Sequence, residues 1–406
     1  MILVQSFQHL KINAHQLINQ LSNKLFNYYF CFMMIKQIVW QIVFYSFCAV
    51  TLVQIFYYIF FFIRLAFYKQ KQKTVSNQQP VSIIVCAKNE AENLANNLPG
   101  ILLQEYKTTH EIIVVNDNSD DDSKYVIDEY RKKNKSLTVV ELVQEAMLIS
   151  GKKFPLSMGI KSSKYETLLL TDADCVPATE FWVDSMQNAY SDGVEIVLGY
   201  GAYIKHSGVL NKLIRFETFH TALQYFSYAL AGLPYMGVGR NLSYKKDVFN
   251  RNKGFSSINH IPSGDDDLFI NQVGTKTNVA IVIDKIAHTL SEPRRTFSDW
   301  VKQKNRHYTT AKYYKPKFKL LLGLYNASFF FYYPLFIVSL VMCKWWLVLS
   351  IFGLRFLLQF FVFAKSMKKL NEKDLLPWFW LLDIWMFVYQ ILFIPALFKR
   401  PRNNCD

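Results

Sequence analysis

"KYETLLLTDADCVPATEFW", Lys164 to Trp182, contains an apolar run that begins at Thr167 and ends on two aspartates, Asp172 and Asp174. A short apolar run closed by polar residues reads as a buried strand. The same grammar recurs upstream. "VSIIVCA" from Val81 is another apolar run, and "NEAENLANNLPGILLQ" reads as a helix with Asn89 as its cap and Glu90 and Glu92 in its first turn. "HEIIVVND" is the next strand, followed by the helical "SKYVIDEYRKKN" and the extended "SLTVVEL". Strands alternating with helices over residues 80–290 imply an α/β domain with a mostly parallel sheet and helices on its faces. In such sheets ligands bind outside the carboxyl ends of the strands.

Acidic residues gather at those ends. "VVNDNSDDD" supplies Asp117, Asp120, Asp121 and Asp122, "LLLTDAD" supplies Asp172 and Asp174, and "IPSGDDDLFI" supplies Asp265, Asp266 and Asp267 between apolar flanks. Neither GxGxxG nor GxxxxGK[ST] occurs, so a glycine-cradled dinucleotide or a P-loop is not supported. Residues i and i+2 of an extended segment point to one side, so Asp172 and Asp174 can address one ligand. Two carboxylates repel a diphosphate unless a hard divalent cation, Mg²⁺ or Mn²⁺, lies between them. A lone D-x-D is as often a solvated turn; the recurrence of the pattern at successive strand ends favours a metal–nucleotide site.

The apolar residues pile up toward the two ends of the chain. With 51% hydrophobic residues, 16% aromatic residues and a net charge of +15, the composition is too greasy for a single soluble domain. "IVWQIVFYSFCAVTLVQIFYYIFFFIRLAFYK", Ile38 to Lys69, carries no charge before Arg64, long enough for a helix across a hydrocarbon core of about 30 Å. It exceeds what a buried core helix needs, and a cleaved signal peptide fits poorly because no small-residue cleavage site follows. Arg64, Lys69, Lys71 and Lys73 flank it, and the positive-inside bias puts that flank, and the domain after it, in the cytoplasm.

Three further apolar blocks lie in residues 318–398, separated by Lys344 and by "KSMKKLNEKD" from Lys365; two or three of them are expected to span. Arg355, within the second, is expected to meet protein or water rather than lipid. Residues 1–37 carry no motif that assigns a role, and Met33 or Met34 is a candidate alternative start. Cys31, Cys48, Cys86, Cys175, Cys343 and Cys405 show no CxxC spacing and suggest neither disulfides nor zinc. The basic residues cluster beside apolar blocks, which suits anionic lipid and speaks against nucleic acid as a partner.

Taken together these segments resemble the family-2 glycosyltransferases, inverting enzymes of the GT-A fold. "SIIVCAKNEAENL" looks like the family's opening strand and turn, "VVNDNSDDDS" its nucleotide-binding stretch, "TDAD" its metal-binding DxD and "SGKKFPLSMGI" its GKxxAL segment. "SGDDDLF" resembles the acidic motif that carries the catalytic base, and "QKNRH", Gln303 to His307, the Q-x-x-R-W motif of the membrane-embedded members. The similarity implies a Rossmann-like, mostly parallel GT-A domain in the cytosol, flanked by a transmembrane helix at 38–67 and by others in 318–398.

The resemblance also implies roles. Asp117 would contact the base or ribose with Glu90 nearby, Asp172 the ribose side, and Asp174 the metal, Mg²⁺ or Mn²⁺. Lys152 would meet phosphate, with an ordinary surface lysine as the competing reading. Asp266 would be the general base with Asp265 beside it, the register within "GDDD" being open by one residue. Arg306, with Gln303, would stabilise the departing diphosphate. Trp300, Gln303 and Arg306 are expected on one face of a helix in an amphipathic, interfacial segment 291–316, with a membrane-surface helix that has no catalytic part as the less favoured reading. "YMGVGRNLSYKKDVF", Tyr235 to Phe249, resembles the acceptor-side region and makes Arg240 a candidate. Asn116 and Asn118 depart from the family's DDG, though uracil remains the expected base. His307 stands for the Trp and leans away from a processive polymerase.

The expectation is thus an inverting hexosyltransferase that moves sugar from a nucleotide-diphosphate donor to a lipid, lipid-linked glycan or polysaccharide at a bacterial inner membrane. The alternatives are a processive polysaccharide synthase and a non-catalytic membrane protein that binds nucleotide sugars.

Overall fold

The computed structural model describes residues 2–70, 78–143 and 151–397, with side chains from residue 21 onward and without that of His307. Lys71, Lys73, Ser150 and Cys405 lie outside the described residues. In chain order the helices are α1 (Ile2–Tyr57), α2 (Ile63–Phe67), α3 (Ala91–Leu102), α4 (Ser123–Lys133), α5 (Lys153–Ser162), α6 (Trp182–Gln187), α7 (Val209–Leu230), α8 (Lys246–Arg251), α9 (Asp267–Val273), α10 (Phe297–Tyr308), α11 (Pro316–Met342), α12 (Trp345–Lys369) and α13 (Phe379–Leu397). The strands are β1 (Val81–Ala87), β2 (His110–Asp117), β3 (Leu137–Leu142), β4 (Thr167–Asp172), β5 (Cys175–Pro177), β6 (Ile196–Leu198), β7 (Gly201–Tyr203), β8 (Leu242–Lys245), β9 (Val279–Ile281) and β10 (Thr289–Ser291).

Strands β3, β2, β1 and β4 run parallel, β8 is antiparallel to both β4 and β6, and β9 closes the sheet parallel to β6. A smaller sheet has the order β5-β10-β7. The chain moves outward from β1 to β2 and β3, then returns to place β4 on the other side of β1. That reversal is the switch point at which α/β sheets hold ligands. Register fixes what meets there: Ala87 pairs with Asn116 and Cys86 with Asp172, so the carboxyl ends of β1, β2 and β4 lie side by side. The strands are almost wholly buried, and Leu94, Leu98 and Ile101 of α3 pack on the same core as Trp182, Val183 and Met186 of α6.

Two compact units divide the chain, residues 1–54 with 328–356, and residues 55–327 with 357–406. In the first, Phe47, Tyr332 and Val348 form an aromatic-rich core. Arg355 is fully buried there; its Nε donates to Gln54 Oε1 at 2.8 Å and its guanidinium lies 4.5 Å from the Tyr332 ring. Among the described residues four helical stretches are long and apolar enough to cross a membrane: Leu21–Phe67, Pro316–Met342, Trp345–Lys369 and Lys373–Ala396.

The second unit contains the sheets and a buried ionic knot. Arg215 of α7 donates from Nε to Glu372 Oε2 at 3.0 Å and from Nη2 to Asp374 at 2.8 Å, and Tyr200 donates to Glu372 Oε1 at 3.1 Å. Arg215 and Glu372 are each only 2% exposed, so each depends on the other for its charge. Arg215→Met should therefore lower stability by about 3 kcal/mol or more, and a Met at both 215 and 372 should recover much of it. Thermal unfolding of the full chain in nanodiscs checks both.

Candidate active site

Asp172 is the last residue of β4, whereas Asp174 lies in the turn that leads into β5. The strand pleat expected to align them is therefore absent. The turn brings them together instead: one ligand atom each from Asp172, Asp174 and Cys175 lies within 4.8 Å of the others. Lys152, just ahead of α5, forms an ion pair with Asp172. Their side chains are 27% and 34% exposed, so Lys152 faces the site rather than bulk solvent.

Burial pushes the Asp172 carboxyl up, but Lys152, Arg240 and Arg306 overcome this and hold it below the usual carboxylate range. Burial and the Asp172 charge push Asp174 above that range, with Arg240 opposing. Burial also raises the Cys175 thiol far above its ordinary value, so it stays protonated. The ionised donors that remain are carboxylate oxygens, the set a hard divalent cation takes.

Glu90 joins the same field. Burial, and then the charges of Asp174 and Asp172, raise its carboxyl against a 2.5 Å hydrogen bond from Asn93. Asn89 is not the cap expected from sequence. Its φ is +55°, and its Oδ1 accepts from Asp120 N. The start of α3 is satisfied from the next loop: Ala91 N donates to Asp121 Oδ2 and Glu90 N to Ser123 Oγ, both at 3.0 Å. Asp121 also accepts from Ser123 N at 3.0 Å, so this carboxylate joins two helix starts rather than facing a ligand. Asp117 stands at the end of β2, next to Asn116, whose amide donates to Glu141 at 2.8 Å.

Asp265, Asp266 and Asp267 diverge in role. Asp267 is buried, and its Oδ2 accepts from Thr310 at 2.5 Å and Tyr314 at 2.8 Å. Asp266 caps α9: Oδ1 accepts from Asp267 N at 2.7 Å and Oδ2 from Gly239 N at 2.8 Å. Burial, then the charges of Asp265 and Asp267, push its carboxyl up to about 8. The Asp265 charge acts on Lys152 and on Cys86 at the end of β1, which puts this cluster over the same strand ends as Asp172.

Lys153 was not singled out in the sequence, although the doubled lysine of "GKK" is its signal. Fully buried, it donates from Nζ to the carbonyls of Ile261 and of Ser263, the latter at 2.7 Å. It thereby pins the loop that carries the three aspartates. Gly151 lets this happen: its φ is +70°, and a Cβ there would come within 2.2 Å of Pro262 O.

The helix carrying "QKNRH" does not present Trp300, Gln303 and Arg306 on one face. Trp300 is fully buried against Tyr389 and Phe393 of α13, at 5.6 and 5.7 Å between rings. Lys304 is buried in an ion pair with Glu217 of α7. Arg306 is exposed and Gln303 half-buried. The i, i+4 stripe Trp300, Lys304, Tyr308 packs inward because α7 and α13 offer it a carboxylate and aromatic rings. Arg306 is exposed, and its charge is among those that lower the Asp172 carboxyl. The side chain of His307 lies outside the described residues.

Comparison with known proteins follows the same lines. The model of Glycosyl transferase family 2 matches residues 82–251. A poly-β-1,6-N-acetyl-D-glucosamine synthase of Staphylococcus epidermidis is 34% identical over 115 residues, 28% of this chain and 26% of that protein. One from Staphylococcus aureus is 28% identical over 123 residues, 30% of this chain and 28% of that protein. The match thus spans about a quarter of the length of these relatives. Among solved structures, a mannosyltransferase from Pyrobaculum calidifontis in complex with GDP-Man and Mn²⁺ shares the fold, with a TM-score of 0.54 and 16% identity, over 86% of this chain and 99% of that one.

Lys153→Met should orphan two carbonyls at a cost of about 1–3 kcal/mol and loosen the 261–267 loop. Turnover is expected to fall by about 10²-fold, which steady-state kinetics beside thermal unfolding checks.

Proposed function

We infer, from the premise that residues 82–251 are a family 2 glycosyltransferase domain of GT-A fold, that the chain moves a sugar from a nucleotide-diphosphate donor, with uracil as the expected base, to an acceptor at a membrane, with inversion at the anomeric carbon. One observation carries the reading. The Asp172–Asp174 carboxylate pair lies at the reversal of strand order, and Asp265, next to the raised Asp266 carboxyl, acts on Lys152, the ion-pair partner of Asp172.

In this reading Asp117 and Glu90 hold the nucleoside end of the donor, with Asp172 on its ribose side. Asp174 and Asp172 would hold Mg²⁺ or Mn²⁺, which when bound neutralises the diphosphate and eases its departure. Lys152, ion-paired with Asp172, would meet phosphate, and Arg306, with Gln303 and His307 from the same motif, would stabilise the departing diphosphate. Asp266, oriented by two backbone N–H groups, takes the proton of the acceptor hydroxyl as the new bond forms. Asp265 raises its basicity and is the alternative base.

The four apolar helices support an acceptor brought in at the bilayer, whether lipid, lipid-linked glycan or growing polysaccharide, with the catalytic domain on the cytoplasmic side of a cell membrane. The names of the Staphylococcus relatives favour the polysaccharide, and with it the second reading, a processive synthase. N-acetylglucosamine and mannose donors are the first to try.

The test is nucleotide release by the full chain in nanodiscs with UDP-GlcNAc and GDP-Man, with Mn²⁺ or Mg²⁺, and with membrane lipid extract as acceptor. Asp174→Ala should abolish the metal dependence and cost about 10³-fold, the loss of several kcal/mol of charge stabilisation. Asp266→Asn should cost about 10²- to 10⁴-fold; if Asp265→Asn alone does so, the base is Asp265. Donor binding without release in wild type would instead identify a binding protein.

The pH profile gives a second check. A base must be deprotonated to act, so kcat/KM should rise with pH through a limb near the Asp266 value of about 8. Removing the neighbouring charge in Asp265→Asn should move that limb to lower pH.

A further inference from the structure

Arg240 is placed with unusual care for a residue that the mechanism above does not use. It belongs to the turn Gly239–Asn241, whose neighbours fix it from every side. Thr171 and Thr289 both donate to the Arg240 carbonyl at 2.9 Å. The fully buried Asn241 side chain donates to Tyr200 O and Ala287 O and accepts from Trp182 Nε1.

The side chain then runs along β7. A Cβ at Gly201 would lie 3.0 Å from Arg240 Cβ and 3.2 Å from Nε, so a side chain there would crowd the arginine. Two residues on, the Tyr203 ring lies 4.5 Å from the guanidinium carbon. This platform sets the plane of the group yet occupies few of its five N–H donors. Among the described residues its side-chain hydrogen bond is a long one, 3.5 Å from Nη1 to Ser291 Oγ.

Ser291 Oγ lies 3.0 Å from Cys175 Sγ, which reaches Asp174 Oδ1 at 3.3 Å. The guanidinium is thus one hydroxyl and one thiol away from a candidate metal ligand. Burial disfavours its charge, but Tyr203, Cys175, Asp174 and Asp172 more than offset this and keep it protonated. A planar, oriented cation with donors to spare, beside carboxylates suited to a divalent ion, fits an anion bound to both. The guanidinium fork matches paired phosphate oxygens.

We propose that Arg240 binds the diphosphate of the donor nucleotide, sharing its oxygens with the cation held by Asp172 and Asp174. The proposal rests on the nucleotide-sugar reading above and adds a residue to it. It has two consequences of opposite sign. Without Arg240 the nucleoside diphosphate loses a charge-assisted contact, whereas a divalent cation alone meets one positive charge fewer and binds more tightly.

The experiment compares wild type, Arg240→Met and Arg240→Lys as full chains in nanodiscs. Mn²⁺ is titrated alone and followed by the EPR signal of the free ion; UDP, GDP, UMP and GMP are then titrated at saturating Mn²⁺ by calorimetry. Arg240→Met should bind Mn²⁺ more tightly, lose about tenfold or more for the diphosphate, and lose less for the monophosphate. Arg240→Lys should keep the Mn²⁺ affinity of wild type and only part of its diphosphate affinity. If Mn²⁺ and nucleotide weaken together, Arg240 is structural. If the diphosphate affinity holds while the acceptor KM rises, it serves the acceptor; either result overturns the proposal alone. A wild type that binds Mn²⁺ but neither diphosphate overturns the nucleotide-sugar reading and this proposal with it.

Discussion

Crowding of like charge at one edge of the sheet is the constraint around which this domain is arranged. Parallel strands in register deliver Glu90, Asp117 and Asp172 to neighbouring positions, and the turn after β4 adds Asp174. The 265–267 loop brings more carboxylates over the same ends. Partly buried like charges repel strongly, and the fold answers with cations drawn from separate elements. Lys152 comes from the start of α5, Arg240 from a turn locked by Asn241, and Arg306 from the outer face of α10. Lys153 acts at one remove, holding the acidic loop by its backbone. Burial, and then the Asp172 charge, still hold the Asp174 carboxyl above its usual range.

Much of this was legible in the sequence, and the failures share one cause. The run Thr167–Asp172 could be delimited as a strand because its length and apolar character leave few alternatives, and the same holds for β1 and β2. Asn89 was misjudged because the groups that satisfy the start of α3 lie about thirty residues later in the chain. Asp117 is legible as a strand end, but only the folded loop shows that Asp121, from the same motif, caps helices instead. Asp172 and Asp174 do come together, but through a turn. Pattern predicts local geometry; the partner that gives a polar side chain its role comes from elsewhere.

Helix α10 shows the same limit and a functional use of it. Its inward stripe answers to α7 and α13, so a lysine can be buried where composition suggests an exposed one. Arg306 and the aromatic anchors thus occupy opposite sides of one rigid rod. A displacement of α13, a helix apolar enough to lie in lipid, would carry the guanidinium with it. The face that holds the helix down and the face that carries Arg306 are mechanically one object.

The ionic knot at Arg215 bears on how the protein comes to exist. Its counter-charge, Glu372, is made 157 residues later, just after α12 in the chain. Until then, α7 can be helical and the sheet can form, but the burial of Arg215 is opposed by an unmatched charge. Completion of this unit is therefore deferred until the chain has been made through Glu372. Folding of the sheet domain then waits on a residue made late, and a nascent chain arrested before Glu372 carries an unmatched charge at its centre.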